Sequence, residues 1–142
     1  MRYLEERHPE PPLFPDDPAE AAEMDVFLEW FNEVWKSASN AIEDELDVGG
    51  SDRELVAREA ARMAEWLDLF ERMLGGRDYL LGDQVSAADF AAFPFLKYAR
   101  GREQEDDELY HRVCDDYQQL GDDHPRLEAW IERIDAQPRA YR

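Results

Sequence analysis

The segment at residues 80–100, LLGDQVSAADFAAFPFLKYAR, constrains this chain more than any other. Ser86 is placed to cap a helix, and Asp89 stands three residues on, the spacing of a capping box. The serine Oγ can accept from the Asp89 amide while the carboxylate accepts from the Ser86 amide. Val85 before the cap and Phe90 after it supply a hydrophobic staple. The run that follows, with Phe90, Ala91, Ala92, Phe93, Phe95 and Leu96, is apolar on nearly every side. A helix of that kind in a water-soluble body belongs at its centre. Pro94 removes one internal hydrogen bond and predicts a bend. Lys97 and Arg100 place positive charge at the negative pole of the helix. No histidine follows at helical reach to activate the serine, so Ser86 and Asp89 read as a structural cap and not as a nucleophile with its acid.

A buried helix needs elements to wrap it, and the sequence provides them. Asp17, Pro18 and Glu20 form a helix start. From there Met24, Leu28, Phe31, Trp35, Ala38 and Ile42 recur at steps of four and three, with Phe27 and Val34 widening the stripe. One long helix over residues 18–48 is predicted, stopped by Gly49 and Gly50. Ser51 and Glu54 form a second possible capping box. It opens a helix over 52–74 striped by Val56, Ala60, Met63, Leu67, Phe70 and Leu74. Two such helices joined by a glycine turn predict an antiparallel pair. After Gly101 an acidic connector leads to a shorter helix carrying Leu109, Val113, Tyr117 and Leu120, ended by Gly121. A last helix opens at Pro125 and carries Leu127, Trp130, Ile131 and Ile134. The expectation is five substantial helices and no strand, an all-α bundle. The 142 residues suffice for one domain with a core of its own.

Charge narrows the function. Thirty-five acidic residues oppose sixteen basic ones, a formal net charge of -19. That field repels phosphate backbones and anionic lipid, so neither nucleic acid nor membrane is an expected partner. No run of eighteen apolar residues offers a membrane span. Two readings of the charge stand open: a highly soluble surface, or adaptation to high salt, where screening relieves self-repulsion. Stability unchanged below about 0.1 M salt would count against the second. One cysteine, Cys114, leaves no intramolecular disulfide and fits a cytoplasmic location.

Other candidates carry less. His8, His111 and His124 are far apart and lack metal-ligand spacing. His124 before Pro125 is placed to cap, and His111 shares a helix face with Asp115, with which it could pair. Cys114 reads as a small buried hydrophobe. The adjacent acids Asp106-Asp107, Asp115-Asp116 and Asp122-Asp123 lack the ring of oxygens that calcium requires. No catalytic, cofactor-binding or metal residue is expected within the chain.

Three segments together resemble the all-helical C-terminal domain of cytosolic glutathione transferases. RYLEERHPEPPLFPDDP resembles the end of their thioredoxin-like domain and the interdomain linker. YLLGDQVSAADFAAFPFL resembles the loop, capping box and central helix. HPRLEAWIERIDAQPRAY resembles the last helix and its exit. On this resemblance residues 1–16 are a remnant of a preceding thioredoxin-like domain plus linker, and 17–142 form the helical domain. It implies that glutathione, as co-substrate, and the residue activating its thiolate belong to the preceding domain, so the chain alone is expected to be inactive. The helical domain would then supply part of a homodimer surface and one wall of a pocket for a small electrophilic or thiol-reactive acceptor, in a detoxifying enzyme. Phe27, Trp30, Phe31, Val34 and Trp35 are the candidates for that wall or interface, with core packing the simpler expectation for Phe31 and Trp35. Related domains also serve as assembly modules without glutathione chemistry, and a relative that reduces glutathionyl adducts is a third possibility.

Overall fold

The computed structural model describes residues 2–50 and 52–138. Among them there are seven α-helices and no strand, only an isolated antiparallel bridge between Tyr79 and Gly82. The helices are α1 (Arg2–Arg7), α2 (Pro18–Trp30), α3 (Lys36–Asp47), α4 (Arg53–Met73), α5 (Ala87–Leu96), α6 (Leu109–Tyr117) and α7 (Pro125–Asp135). The all-α expectation is met.

The first long helix departs from its predicted form. Asp17 caps it as expected, accepting the Ala19 and Glu20 amides at 2.9 and 3.1 Å. At Phe31–Trp35, however, the backbone makes a π-helical turn, and the Lys36 amide reaches back five residues to the Phe31 carbonyl. Such turns have poorer hydrogen-bond geometry than an α-helix. Here aromatic packing offsets that cost: Phe31 and Trp35 stack with centroids 4.7 Å apart, and both are fully buried. A period of 3.6 fits the apolar stripe nearly as well, so the sequence pattern did not expose the change.

The start of α4 also differs in detail. Ser51 lies outside the described residues. Asp52 caps the helix instead, accepting the Leu55 amide at 2.9 Å, while its own amide donates to Glu45 at 2.8 Å. Gly49, with φ of +64°, makes the left-handed exit from α3 that a side chain would resist. The antiparallel pairing is visible in its contacts. Phe27 meets Phe70, Trp35 meets Trp66, and Ile42 shares a second small core with Met63 and Val113. Moving forward along α2 and α3 means moving backward along α4.

Helix α5 lies inside, as expected, but its faces are sorted in a way the sequence did not suggest. Ala88, Ala92 and Leu96 join the main core with Phe27, Phe31, Phe70, Leu127 and Trp130. Small residues on that side allow close approach of the neighbouring helices. Phe93 and Phe95 are only partly covered, Pro94 is exposed, and Phe90 remains 38% exposed. The expected staple is therefore half closed: Val85 packs against the core, but Phe90 stays at the surface. After Leu96 the chain tightens into a 3₁₀ turn, Lys97–Arg100.

Helix α6 stops at Tyr117, earlier than Leu120. Gln118 folds back instead, and its Nε2 donates to the Phe95 carbonyl at 2.6 Å. The Leu120 amide then bonds the Ala99 carbonyl at 3.1 Å, tying this connector to the end of the central helix.

Candidate functional site

Two constructions dominate the interior. The first stands at the head of α5. The capping box closes in both directions. The fully buried Asp89 carboxylate takes the Ser86 amide at 2.8 Å and the Ser86 hydroxyl at 2.9 Å on Oδ2. Its Oδ1 takes the Leu80 amide at 3.0 Å and the Trp130 indole N–H at 2.8 Å. One side chain thus joins the preceding loop, the start of α5 and the middle of α7. A carboxylate with four donors is satisfied although buried. With no base near the serine, this geometry anchors structure and offers no nucleophile.

The sequence showed the Ser86–Asp89 half of that arrangement but not its reach to Trp130. It also missed a second acid with a similar task. Glu71 in α4 accepts the Leu127 amide at 2.8 Å and the Arg126 amide at 3.0 Å, filling the orphan donors at the start of α7. A signal was available: Glu71 falls between Leu67 and Leu74 on the apolar stripe, where an unpaired acid would be costly. His124 occupies the N-cap position of α7, but its side chain does not cap the helix: Nδ1 accepts the Gly121 amide at 3.1 Å, in the preceding turn, while Nε2 meets Asp68 at 3.0 Å.

The second construction is an aromatic cluster around the π turn, where the five wall candidates fall into three situations. Phe27, Phe31 and Trp35 are buried, so they form the layer behind any ligand-facing surface. Trp30 is half-buried. Its ring lies 5.8 Å from Trp66, 6.0 Å from Phe70 and 6.0 Å from Phe27. Val34 is 37% exposed. Trp66 and Phe95 belong to the same cluster; the sequence placed Phe95 only in the central helix and did not single out Trp66, because contacts between helices leave no local spacing. Phe95 stands 5.7 Å from Phe31 and 5.9 Å from Trp35. The Lys36 ammonium lies over Phe95 at 4.3 Å and donates to Asn32 at 2.7 Å. Burial lowers its pKa.

Two further groups of titratable side chains have partners within the fold, around Cys114 and around His111. Cys114 is buried as expected, and burial pushes its thiol up to about 12. Beside it, Tyr110 shares a 2.7 Å hydrogen bond with Ser39. His111 and Asp115, which could have paired across one helix face, take other partners. His111 Nδ1 instead bonds Asp106 at 2.9 Å, and its ring stacks on Tyr98 with centroids 4.5 Å apart. Asp115 faces Arg102 at 3.4 Å. The connector's carboxylate captures the imidazole because it folds back onto the start of α6. No group of three or more potential metal ligands occurs among the described residues.

Comparison with known proteins bears on this arrangement. Residues 53–133, more than half the chain, match the family model for the glutathione S-transferase C-terminal domain. The chain belongs to the glutathione S-transferase family. FtsZ-localized protein A of Caulobacter vibrioides is 36% identical over 105 residues, covering 68% of this chain and 45% of that protein. A probable glutathione S-transferase GSTF1 of Oryza sativa subsp. japonica is 30% identical over 125 residues, covering 84% and 51%. The solved structure of FzlA from C. crescentus superposes with a TM-score of 0.73 at 26% identity, over 96% of this chain and 57% of that one. The chain thus spans about half the length of the curated relatives it matches. The transferase match covers α4 through most of α7, including both carboxylate anchors. The aromatic π turn lies before it.

Proposed function

We propose that this helical domain supplies the acceptor-substrate wall and dimer surface of a glutathione S-transferase-like, detoxifying cytoplasmic protein. Glutathione binding and thiolate activation then reside in a preceding domain. The observation that carries this reading is Trp30, a half-buried indole at the edge of an aromatic cluster with Val34 exposed nearby. An apolar electrophile held against that edge would meet a glutathione thiolate supplied from the other domain. The contribution is positional: orientation lowers the barrier without a nucleophile from this chain. In the complete protein, Trp30→Ala should change acceptor preference or the affinity for aromatic acceptors. Unaltered steady-state kinetics across a panel of acceptors would remove Trp30 from the wall. Calorimetric titration of this chain alone with glutathione should give weak or no binding, and tight saturable binding with turnover would overturn the division of labour.

A second reading has its own support. FtsZ-localized protein A is named for its localisation to FtsZ, and it is among the relatives that this chain resembles. The domain would then act as a protein-interaction module without glutathione chemistry. Co-sedimentation of the complete protein with FtsZ polymers, together with absence of transferase turnover, favours that reading.

A further inference from the structure

The stretch at residues 9–15, PEPPLFP, is stiff backbone: four of its seven residues are proline. Each ring fixes φ and removes an amide N–H, so only Glu10, Leu13 and Phe14 retain one. Two of those three amides bind the same atom. Glu5 Oε1, from α1, accepts the Leu13 amide at 2.9 Å and the Phe14 amide at 3.4 Å. Residues 8–12 are exposed, whereas Leu13, Phe14 and Pro15 are half-buried. The connector is therefore pinned at Leu13 and Phe14.

The carbonyl at the same place reaches the central helix. Leu13 O accepts the Ala87 amide at 2.9 Å. Ala87 is the first residue of α5, so its amide is one of the orphan donors of that helix. The capping box does not serve it, because Ser86 and Asp89 satisfy each other's amides. The Leu13 carbonyl and the Phe14 N–H belong to one peptide unit and point in opposite directions. That unit spans from Glu5 to Ala87, and each of its bonds polarises the other. Next to Ala87, Ser86 is held by the Asp89 carboxylate that also binds Leu80 and Trp130. A helix as short as α1 has little stability of its own in water, and Glu5 gives it a fixed attachment.

We propose that residues 5–14 form a strap coupling α1 to the head of α5, so that release of Glu5 loosens the first turn of the central helix and leaves α4 and α7 closed. The prolines let a displacement pass along the connector instead of being absorbed within it. Glu5 is a positioning residue in this device, and the coupling stands whichever functional reading of the domain holds. Amide exchange followed by NMR on the full 142-residue chain tests it. Glu5→Ala should speed exchange of the Leu13 and Ala87 amides roughly tenfold, in the range for losing one hydrogen bond. Met63 in α4 and Ile131 in α7 should change less than about twofold, well short of what losing a hydrogen bond produces. Glu5→Gln keeps a carbonyl acceptor and should restore most of the protection at both amides. Glu6→Ala, at an exposed acid of α1, should change neither. Faster exchange at Leu13 with Ala87 unmoved would show that the head of α5 holds without the strap and overturn the proposal, as would no change at either amide. An equal rise at Met63 and Ile131 would mean general loss of stability, and an equal effect of Glu6→Ala would mean that the Glu5 bonds are not the link. Either result also overturns it.

Discussion

The head of α5 and the π turn of the first long helix both send side chains into the interior, Asp89 from one and Phe31 and Trp35 from the other, yet they are held by different physics. At α5 a single carboxylate gathers four donors, and the geometry follows from hydrogen-bond direction. At the π turn, the ladder of helical hydrogen bonds gives way so that Phe31 and Trp35 can stack. Directional polar bonds tolerate little substitution, because each orphaned donor carries its own desolvation penalty. Aromatic packing is more forgiving at its edge than in its centre. The contrast separates positions able to vary with function from positions that must hold the fold.

The strongest way to break this contrast is Asp89→Ala. It strands the Leu80 amide and the Trp130 indole in the interior together with the start of α5. A loss of about 3–5 kcal/mol is expected in urea unfolding, and a loss below 1 kcal/mol would show that the network is redundant. Glu71→Ala removes the acceptor for two amides that begin α7 and should cost about 1–3 kcal/mol by the same measurement. Preferential loss of hydrogen-exchange protection in α7 would locate the damage.

Alkaline pH probes a third buried area. The Cys114 pKa is raised by burial, so the folded state keeps its proton where the unfolded state releases it. That stability is present below the unfolded thiol's ordinary range, near pH 8.5, and is lost as pH rises toward about 12. Unfolding curves should weaken progressively above pH 9, by up to about 1.4 kcal/mol per pH unit from this group. Cys114→Ala should flatten that slope. The smallest effect is expected at the lip of the aromatic cluster. Lys36→Met gives up one hydrogen bond and the cation–π contacts with Phe31 and Phe95 while keeping the apolar stem, and should shift stability by about 0.5–1 kcal/mol in urea unfolding. A larger loss would mean that the π turn depends on the lysine and not on its rings.

What could be read from the sequence divides along the same boundary. The cap at Ser86 and Asp89, the Asp17 start and the antiparallel pairing all rest on spacing within a few residues or on a stripe shared by two helices. Those features are local or periodic, and they were legible. The bond from Asp89 to Trp130 joins residues forty-one apart, and the Glu71 cap joins residues fifty-five and fifty-six apart. Such links appear only once the helices are placed. For the candidate wall, the sequence supplied five names on one helix. The fold buries three, leaves Trp30 and Val34 at the edge, and adds Trp66 and Phe95 from other helices.

The π turn also changes how the first rod can be compared with its relatives. One additional residue in a turn rotates everything after it by about 100° relative to what came before. Against a protein whose corresponding rod is uninterrupted, a gapless alignment that is right through Trp30 would present the wrong flank from Lys36 onward. Substitutions transferred between homologues on this rod must therefore be matched by spatial azimuth, with the offset introduced at residues 31–35.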